Sequence, residues 1–181
     1  VEWGGRARDA SAPQAEGDAG PLKVTCPHIA GRVVLTPWVQ RLRADNPRLK
    51  IELILSDSLV DIVDAGIDVA IRMAHINDSD LAGRQLSPNP RVLCATPAYL
   101  APFGTPGTLA GLQQHQCLSL PHQRLWPFRV DGKLQSLKVN SRFACASAEG
   151  ILSACLQGIG IALMTYGAVA QPIASGELQV I

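Results

Sequence analysis

Four places in this sequence put a small hydroxyl, thiol or imidazole side chain where a strand would hand over to a helix. They are Cys26-Pro27-His28, Ser56-Asp57-Ser58, Thr96-Pro97 and Ala146-Ser147. A helix leaves its first N–H groups unpaired and points the positive end of its dipole at such a junction. In an open α/β sheet these junctions gather at the carboxyl ends of the strands, where anions and small polar ligands settle. Ser and Thr hydroxyls add neutral donors, so a small carboxylate would suit the set. Arg72 ends the apolar stretch "DVAIR" (68–72) and could add a two-pronged charge-assisted contact. The same residues also have plainer uses. Ser147 and Thr96 are helix N-caps first, Asp68 fits a turn cap better than a ligand, and Arg72 or His28 could be a solvated end of its element.

Other arrangements offer less chemistry. His115, Cys117 and His122 cluster in sequence, but their spacing matches no zinc pattern and a strand would separate their directions, so no metal is expected. Cys26 at a helix start invites a lowered thiol pKa and a redox role, yet no resolving partner is evident. "GIGIAL" (158–163) imitates a dinucleotide fingerprint, but the third glycine is missing and the segment precedes a strand; it reads as a helix stop. There is no G-x-S-x-G elbow, H-E-x-x-H or Walker loop, and no carboxylate pair placed for acid–base work. No enzyme and no cofactor are expected.

The elements that must position these residues follow from periodicity and breakers. "LKVT" (22–25) is a strand, and a helix runs from about Ile29 to Ala44. Val34, Trp38 and Leu42 lie on one stripe of it, with Leu35 and Val39 beside them, and Pro37 predicts a kink. "LKIELIL" (49–55) is the next strand; "SDS" can cap a short helix, "LVDIVDA", with Leu59, Ile62 and Val63 on its buried face and Gly66 closing it. "DVAIR" then reads as a central strand of a parallel sheet, its trio Val69–Ile71 apolar because both faces are covered. "RVLCAT" (91–96) opens a second series: helices beginning at Pro97 and near Thr108, strands at 116–120 and around the Asp131-Gly132 turn, "RFACAS", a helix from Ala148 to Gln157, "GIALM", "YGAVAQPIAS" and "LQVI". The chain thus reads as two α/β lobes joined near residues 91 to 96.

Composition bounds the possibilities further. The chain has 181 residues, 47% apolar and 17% charged, enough to bury a sizeable core. A net charge of +1 gives no electrostatic case for nucleic-acid binding by these residues. No apolar run approaches a membrane span, and residues 1–20 lack the apolar centre of a secretory signal. Five cysteines without a C-x-x-C pair suggest free, mostly buried thiols in a reducing compartment, the cytoplasm.

Several blocks in a fixed order are more specific than any of these motifs. "DVAIR", "ATPAYL", "GTPGTLAGLQQHQCLSL", "WPFRVDG", "SAEGILSACLQGIGIALM" and "SGELQVI", within residues 21 to 181, resemble the effector-binding domain of LysR-type transcriptional regulators. The resemblance implies a two-lobed α/β fold of the periplasmic-binding-protein (type II) kind, with a small-molecule cleft between the lobes. It implies a linker remnant at 1–20, a first lobe at 21–92 and a second at 93–181. The strand and helix that usually complete the first lobe at the C-terminus are expected to be missing. Cleft-lining segments of the family match Pro27, His28, Ser56, Ser58, Arg72, Thr96, Ser119, Ala146 and Ser147. Expected partners are a small-molecule effector, such as a carboxylate or aromatic acid, and further copies in a homodimer or tetramer. DNA would be reached only through a separate N-terminal helix-turn-helix domain, and no membrane is involved. A transport-type solute-binding protein of the same fold is the alternative, which an export signal upstream would betray.

Overall fold

The computed structural model describes residues 21–58, 64–73 and 83–181. The expected linker at 1–20 and most of the helix expected around 59–65 lie outside these. In the first part, β1 (Leu22–Cys26), β2 (Ile51–Leu55) and β3 (Val69–Ala70) form a parallel sheet in the order β2-β1-β3. Leu22 to Cys26 pair with Ile51 to Leu55, and Val24 and Thr25 with Val69 and Ala70. Among the described residues β1 is therefore the central strand and β3 lies beside it at the edge. The expectation of a central "DVAIR" strand is corrected accordingly: only two of its residues pair, and Val69 is 44% exposed. Gly66 has φ 59°, the left-handed conformation expected of it.

The helix after β1 is longer and less simple than its sequence pattern. α1 (His28–Ala30), a π turn (Gly31–Leu35) and α2 (Thr36–Asp45) abut one another. The expected kink at Pro37 is replaced by the π turn just before it. Thr36 donates its N–H to the carbonyl of Gly31, five residues back, and its hydroxyl donates to the same oxygen at 2.8 Å. The widened turn leaves Pro37 in the first turn of α2, where a missing N–H costs little. Gly31 packs closely: a Cβ there would run into Leu55 Cδ2, which would have to turn aside, and would crowd the Cys26 sulfur. Val34, Trp38 and Leu42 form the expected stripe, but it faces outward.

The second part is a five-stranded sheet, β10-β4-β9-β5-β8, made of β4 (Arg91–Ala95), β5 (Cys117–Ser119), β8 (Phe143–Ala144), β9 (Ile161–Thr165) and β10 (Gln179–Val180). The hairpin of β6 (Leu125–Val130) and β7 (Lys133–Lys138) turns at Asp131 (φ 50°) and Gly132 (φ 76°), as the Asp-Gly pair predicts. α3 (Pro97–Phe103), α4 (Leu109–Leu112), α5 (Ala148–Leu156) and α6 (Tyr166–Ala174) cover the sheet. Alternation along β4, β5 and β9 shows that both faces of the sheet's middle are buried. Cys94, Leu118, Ala162 and Met164 pack with α5 and α6 on one side, while Ala95, Cys117 and Ile161 pack with Tyr99, Leu112 and Trp126 on the other. Thr96, Thr108 and Ser147 accept from the N–H groups of Tyr99, Gly111 and Glu149, so all three caps are as expected. Gly158, at φ 70°, stops α5 ahead of β9. No helix of the described residues is long and apolar enough to cross a membrane.

Candidate functional site

The carboxyl end of β1 is the floor of the site. Thr25 and Cys26 are fully buried there, and Pro27, at φ −59° and ψ 149°, turns the chain into α1. Ser56 donates its N–H to the Cys26 carbonyl at 2.9 Å, which sets the end of β2 alongside. Ser56 and Ser58 close a small turn in which the Ser58 N–H donates to Ser56 Oγ at 3.2 Å. Between them, Asp57 carries the contact that organises the site. Its Oδ1 accepts from the backbone N–H of His28 at 3.0 Å, and its Oδ2 accepts from the N–H of Ala148 at 3.1 Å. One carboxylate thus bridges the first turn of α1, on the first sheet, and the first turn of α5, on the second.

Charged side chains surround this bridge. His28 Nδ1 lies 3.4 Å from Asp57 Oδ1. Arg32 Nε, from the π turn that follows α1, donates to Glu149 Oε1 at 2.7 Å, a second link to α5, while Glu149 Oε2 is buried and without a partner. Arg72 follows β3 and is half-buried; its guanidinium donates to Thr25 Oγ1 at 3.2 Å and to the Ile71 carbonyl at 3.3 Å. Arg72 therefore braces the end of β1 and is not a freely solvated strand end. Asp68 accepts from the Lys23 N–H at 2.8 Å, so it pins β3 to β1. Burial alone would raise the Asp57 pKa, but the His28 and Ala148 N–H groups and the His28 ring outweigh it and hold it below the usual carboxylate range. Cys26 goes the other way. Burial raises its pKa, Arg72 offsets only part of this, and the Asp57 charge adds to the rise. The lowered thiol pKa that a redox role would need is overturned by desolvation.

Strand direction decides which of the other expected residues join the site. β9 runs parallel to β5, which runs parallel to β8, so Ser119, Ala146, Ser147 and the β9–α6 junction at Thr165-Tyr166 share one edge of the sheet. β4 is antiparallel to β9, with Arg91 opposite Thr165. Thr96 therefore lies at the far edge, beside Gly158, and its place in the site is corrected. Ser119 is at the same edge but 2% exposed, and its hydroxyl donates to Ser141 Oγ at 2.9 Å, so it holds the loop before β8. His115 packs on Tyr99, 3.4 Å from its hydroxyl, and the Cys117 thiol donates to the Leu112 carbonyl. Among the described residues no three groups gather as metal ligands.

Two junctions thus face each other, the β1–α1 and β8–α5 turns, as they do in two-lobed binding domains. Over residues 15–181 the sequence matches the family described as the LysR substrate binding domain. The chain belongs to that family. It is 31% identical over 98% of its length to a probable HTH-type transcriptional regulator, LtrA, from Klebsiella pneumoniae, and 32% identical over 88% to the HTH-type regulator DmlR of Escherichia coli. It covers 59% and 53% of those two proteins, a little over half of each. The regulatory domain of CrgA, a LysR-type regulator from Neisseria meningitidis, superimposes with a TM-score of 0.81 at 28% identity, over 90% of this chain and 80% of that one. The fold is thus the type II periplasmic-binding-like fold of LysR regulatory domains.

Two features at these strand ends are not among the residues the sequence singles out. Asp57 stood inside the quoted "SDS" but was passed over for the flanking serines, although a carboxylate at two converging helix starts is the natural partner for their N–H groups. The Thr165-Tyr166 junction was legible as a strand followed by a helix and was not counted among the candidate turns.

Proposed function

We propose that this chain is the effector-sensing module of a LysR-type transcriptional regulator. A small molecule enters between a first lobe (residues 21–92) and a second (93–181), and the lobe geometry it selects is read out by a DNA-binding helix-turn-helix domain elsewhere in the whole protein. The observation that carries this reading is the meeting of the β1–α1 and β8–α5 turns across one cleft, bridged by Asp57. Pro27, His28, Ser56, Ser58 and Arg72 supply the contacts from the first lobe, and Ala146 and Ser147 those from the second. Backbone N–H donors and the Arg72 guanidinium favour an effector bearing a carboxylate. The role is regulatory and not catalytic, and the compartment is the cytoplasm. Copies pair through their regulatory lobes as dimers that assemble into tetramers on DNA, and the outward stripe of Val34, Trp38 and Leu42 suits such pairing.

A thermal-shift screen of metabolites on the full-length protein tests the reading. Carboxylates should dominate the hits, and Arg72→Gln should abolish their shift; because the variant also loses the brace on Thr25, its unliganded melting temperature should fall, and the ligand-induced shift is read from the variant's own baseline. A screen without anionic hits would sink the cleft chemistry. An export signal upstream, in place of a helix-turn-helix, would sink the regulator assignment.

A further inference from the structure

We propose that Asp57 is an internal latch: its carboxylate holds the two sheets closed across the cleft by capping α1 with one oxygen and α5 with the other. The latch is part of the chain itself and occupies the position that an entering anion would seek. Its two donors are first-turn N–H groups that their own helices cannot satisfy, so opening the cleft leaves one of them without its acceptor. The contact spans 91 residues of sequence, so local chain geometry does not impose it. It is reinforced at the same junction by Arg32 and Glu149, and by Ile29, which packs in one core cluster with Ile151 and Leu152 of α5. A molecule can enter only when the sheets part, so Asp57 sets how often they do. An anionic effector then competes with Asp57 for the same N–H groups. That consequence rests on the proposed effector cleft; the latch itself does not.

The test breaks the bridge from each side in the full-length protein and needs no effector. Asp57→Asn removes the charge and one of the two acceptors. Ala148→Pro removes only the donor, because Ala148 is the first residue of α5, where proline is favoured. Ser147 before it, at φ −111° and ψ 133°, already has the extended backbone that a residue preceding proline adopts. Hydrogen exchange at Ile29 and Ala30 is the readout. Both residues are buried in the first turn of the helix, and Ile29 packs in one cluster with Ile151 and Leu152 of α5, so their exchange rates report closure. Each variant should accelerate exchange there by roughly tenfold, the scale of one charged hydrogen bond, and the double variant should add little, because both remove the same contact. If Ala148→Pro folds and leaves Ile29 and Ala30 protected as in the wild type, the latch is refuted, whether or not Asp57→Asn folds. Full additivity in the double variant refutes it as well.

Discussion

Asp57 Oδ2 and the backbone nitrogen of Ala148 lie 3.1 Å apart, and this contact joins the end of β2 to the start of α5. The other oxygen is spent on His28, so one partly buried carboxylate neutralises two helix ends at once. Neither helix is strongly charged in its first turn: α1 has no acidic residue there and α5 has only Glu149. The negative charge that the dipoles favour is therefore delivered from a third element, the turn after β2.

This arrangement makes stability depend on pH in a defined direction. Asp57 has a folded-state pKa below its ordinary value, so the unfolded chain takes up the proton more readily. Its contribution is complete above the ordinary carboxylate pKa of about 4 and is lost as pH falls through the folded value. The titratable groups beside it are His28 and Cys26, with the Arg32–Glu149 pair linking the same junction. Urea unfolding from pH 7 to pH 2 should show the wild type losing about 1–3 kcal/mol more than Asp57→Asn. Parallel acid limbs in the two proteins would contradict this.

The helix caps separate two kinds of hydroxyl at the same sheet edge. Ser147 Oγ accepts from the Glu149 N–H at 3.2 Å, whereas Thr165 stands at the start of α6 with no side-chain cap bond. Ser147→Ala should cost about 1 kcal/mol in equilibrium unfolding and Thr165→Ala less than half of that. Equal losses would mean that the cap bond is not what Ser147 contributes.

Gly31 is a close packing contact at the π turn. Its absent Cβ leaves room for Leu55 and the Cys26 sulfur directly beneath. Gly31→Ala should therefore destabilise by about 1–3 kcal/mol, against the small gain that alanine ordinarily brings within a helix. A more stable Gly31→Ala variant in thermal unfolding would show that Leu55 can turn aside freely.

Local chemistry was readable and direction was not. The caps at Thr96, Thr108 and Ser147 depend on a hydroxyl and the next few residues, so each was legible where it stands. Thr96 was misplaced because nothing within "RVLCAT" states that β4 runs against β9; that is fixed by pairing with residues some seventy positions away. Pro37 announced a disturbed helix, but whether it kinks or is preceded by a wide turn depends on Gly31 fitting against β1 and β2. The apolar trio of "DVAIR" suggested a central strand, yet centrality belongs to β1, which both β2 and β3 flank. The sequence leaves Arg72 open between a cleft contact and a solvated strand end; its partner Thr25 becomes visible only once β1 and β3 are side by side.

The thiols should react unequally. All five are free; Cys26, Cys94, Cys117 and Cys155 are buried and Cys145 is partly exposed. Burial pushes Cys117 up to about 12, and Cys94 is raised by its contact with Cys155 and by burial. Alkylation of the native protein at pH 8 should label Cys145 first, with the other four slower by on the order of a hundredfold. Rapid labelling of Cys26 would show that the cleft floor opens far more often than the Asp57 bridge implies.

The outward stripe along the π turn and α2 gives the dimer reading a direct test. Val34, Trp38 and Leu42 are 47%, 43% and 41% exposed, and Arg41 lies over the Trp38 ring at 5.5 Å. Three large apolar side chains along one helix face are costly to leave in water, and a second copy can cover them with its own surface. Trp38→Glu and Leu42→Glu place a charge in that contact without touching either core cluster. Light scattering after size exclusion should show dimers of the full-length wild type, and both variants should dissociate at concentrations at least about tenfold higher than it does. Their unfolding free energies as monomers should stay within about 0.5 kcal/mol of one another, as surface changes do. If both variants stay dimeric at wild-type concentrations, the pairing surface lies elsewhere, and a wild type that remains monomeric at high concentration would remove the dimer from the proposal altogether.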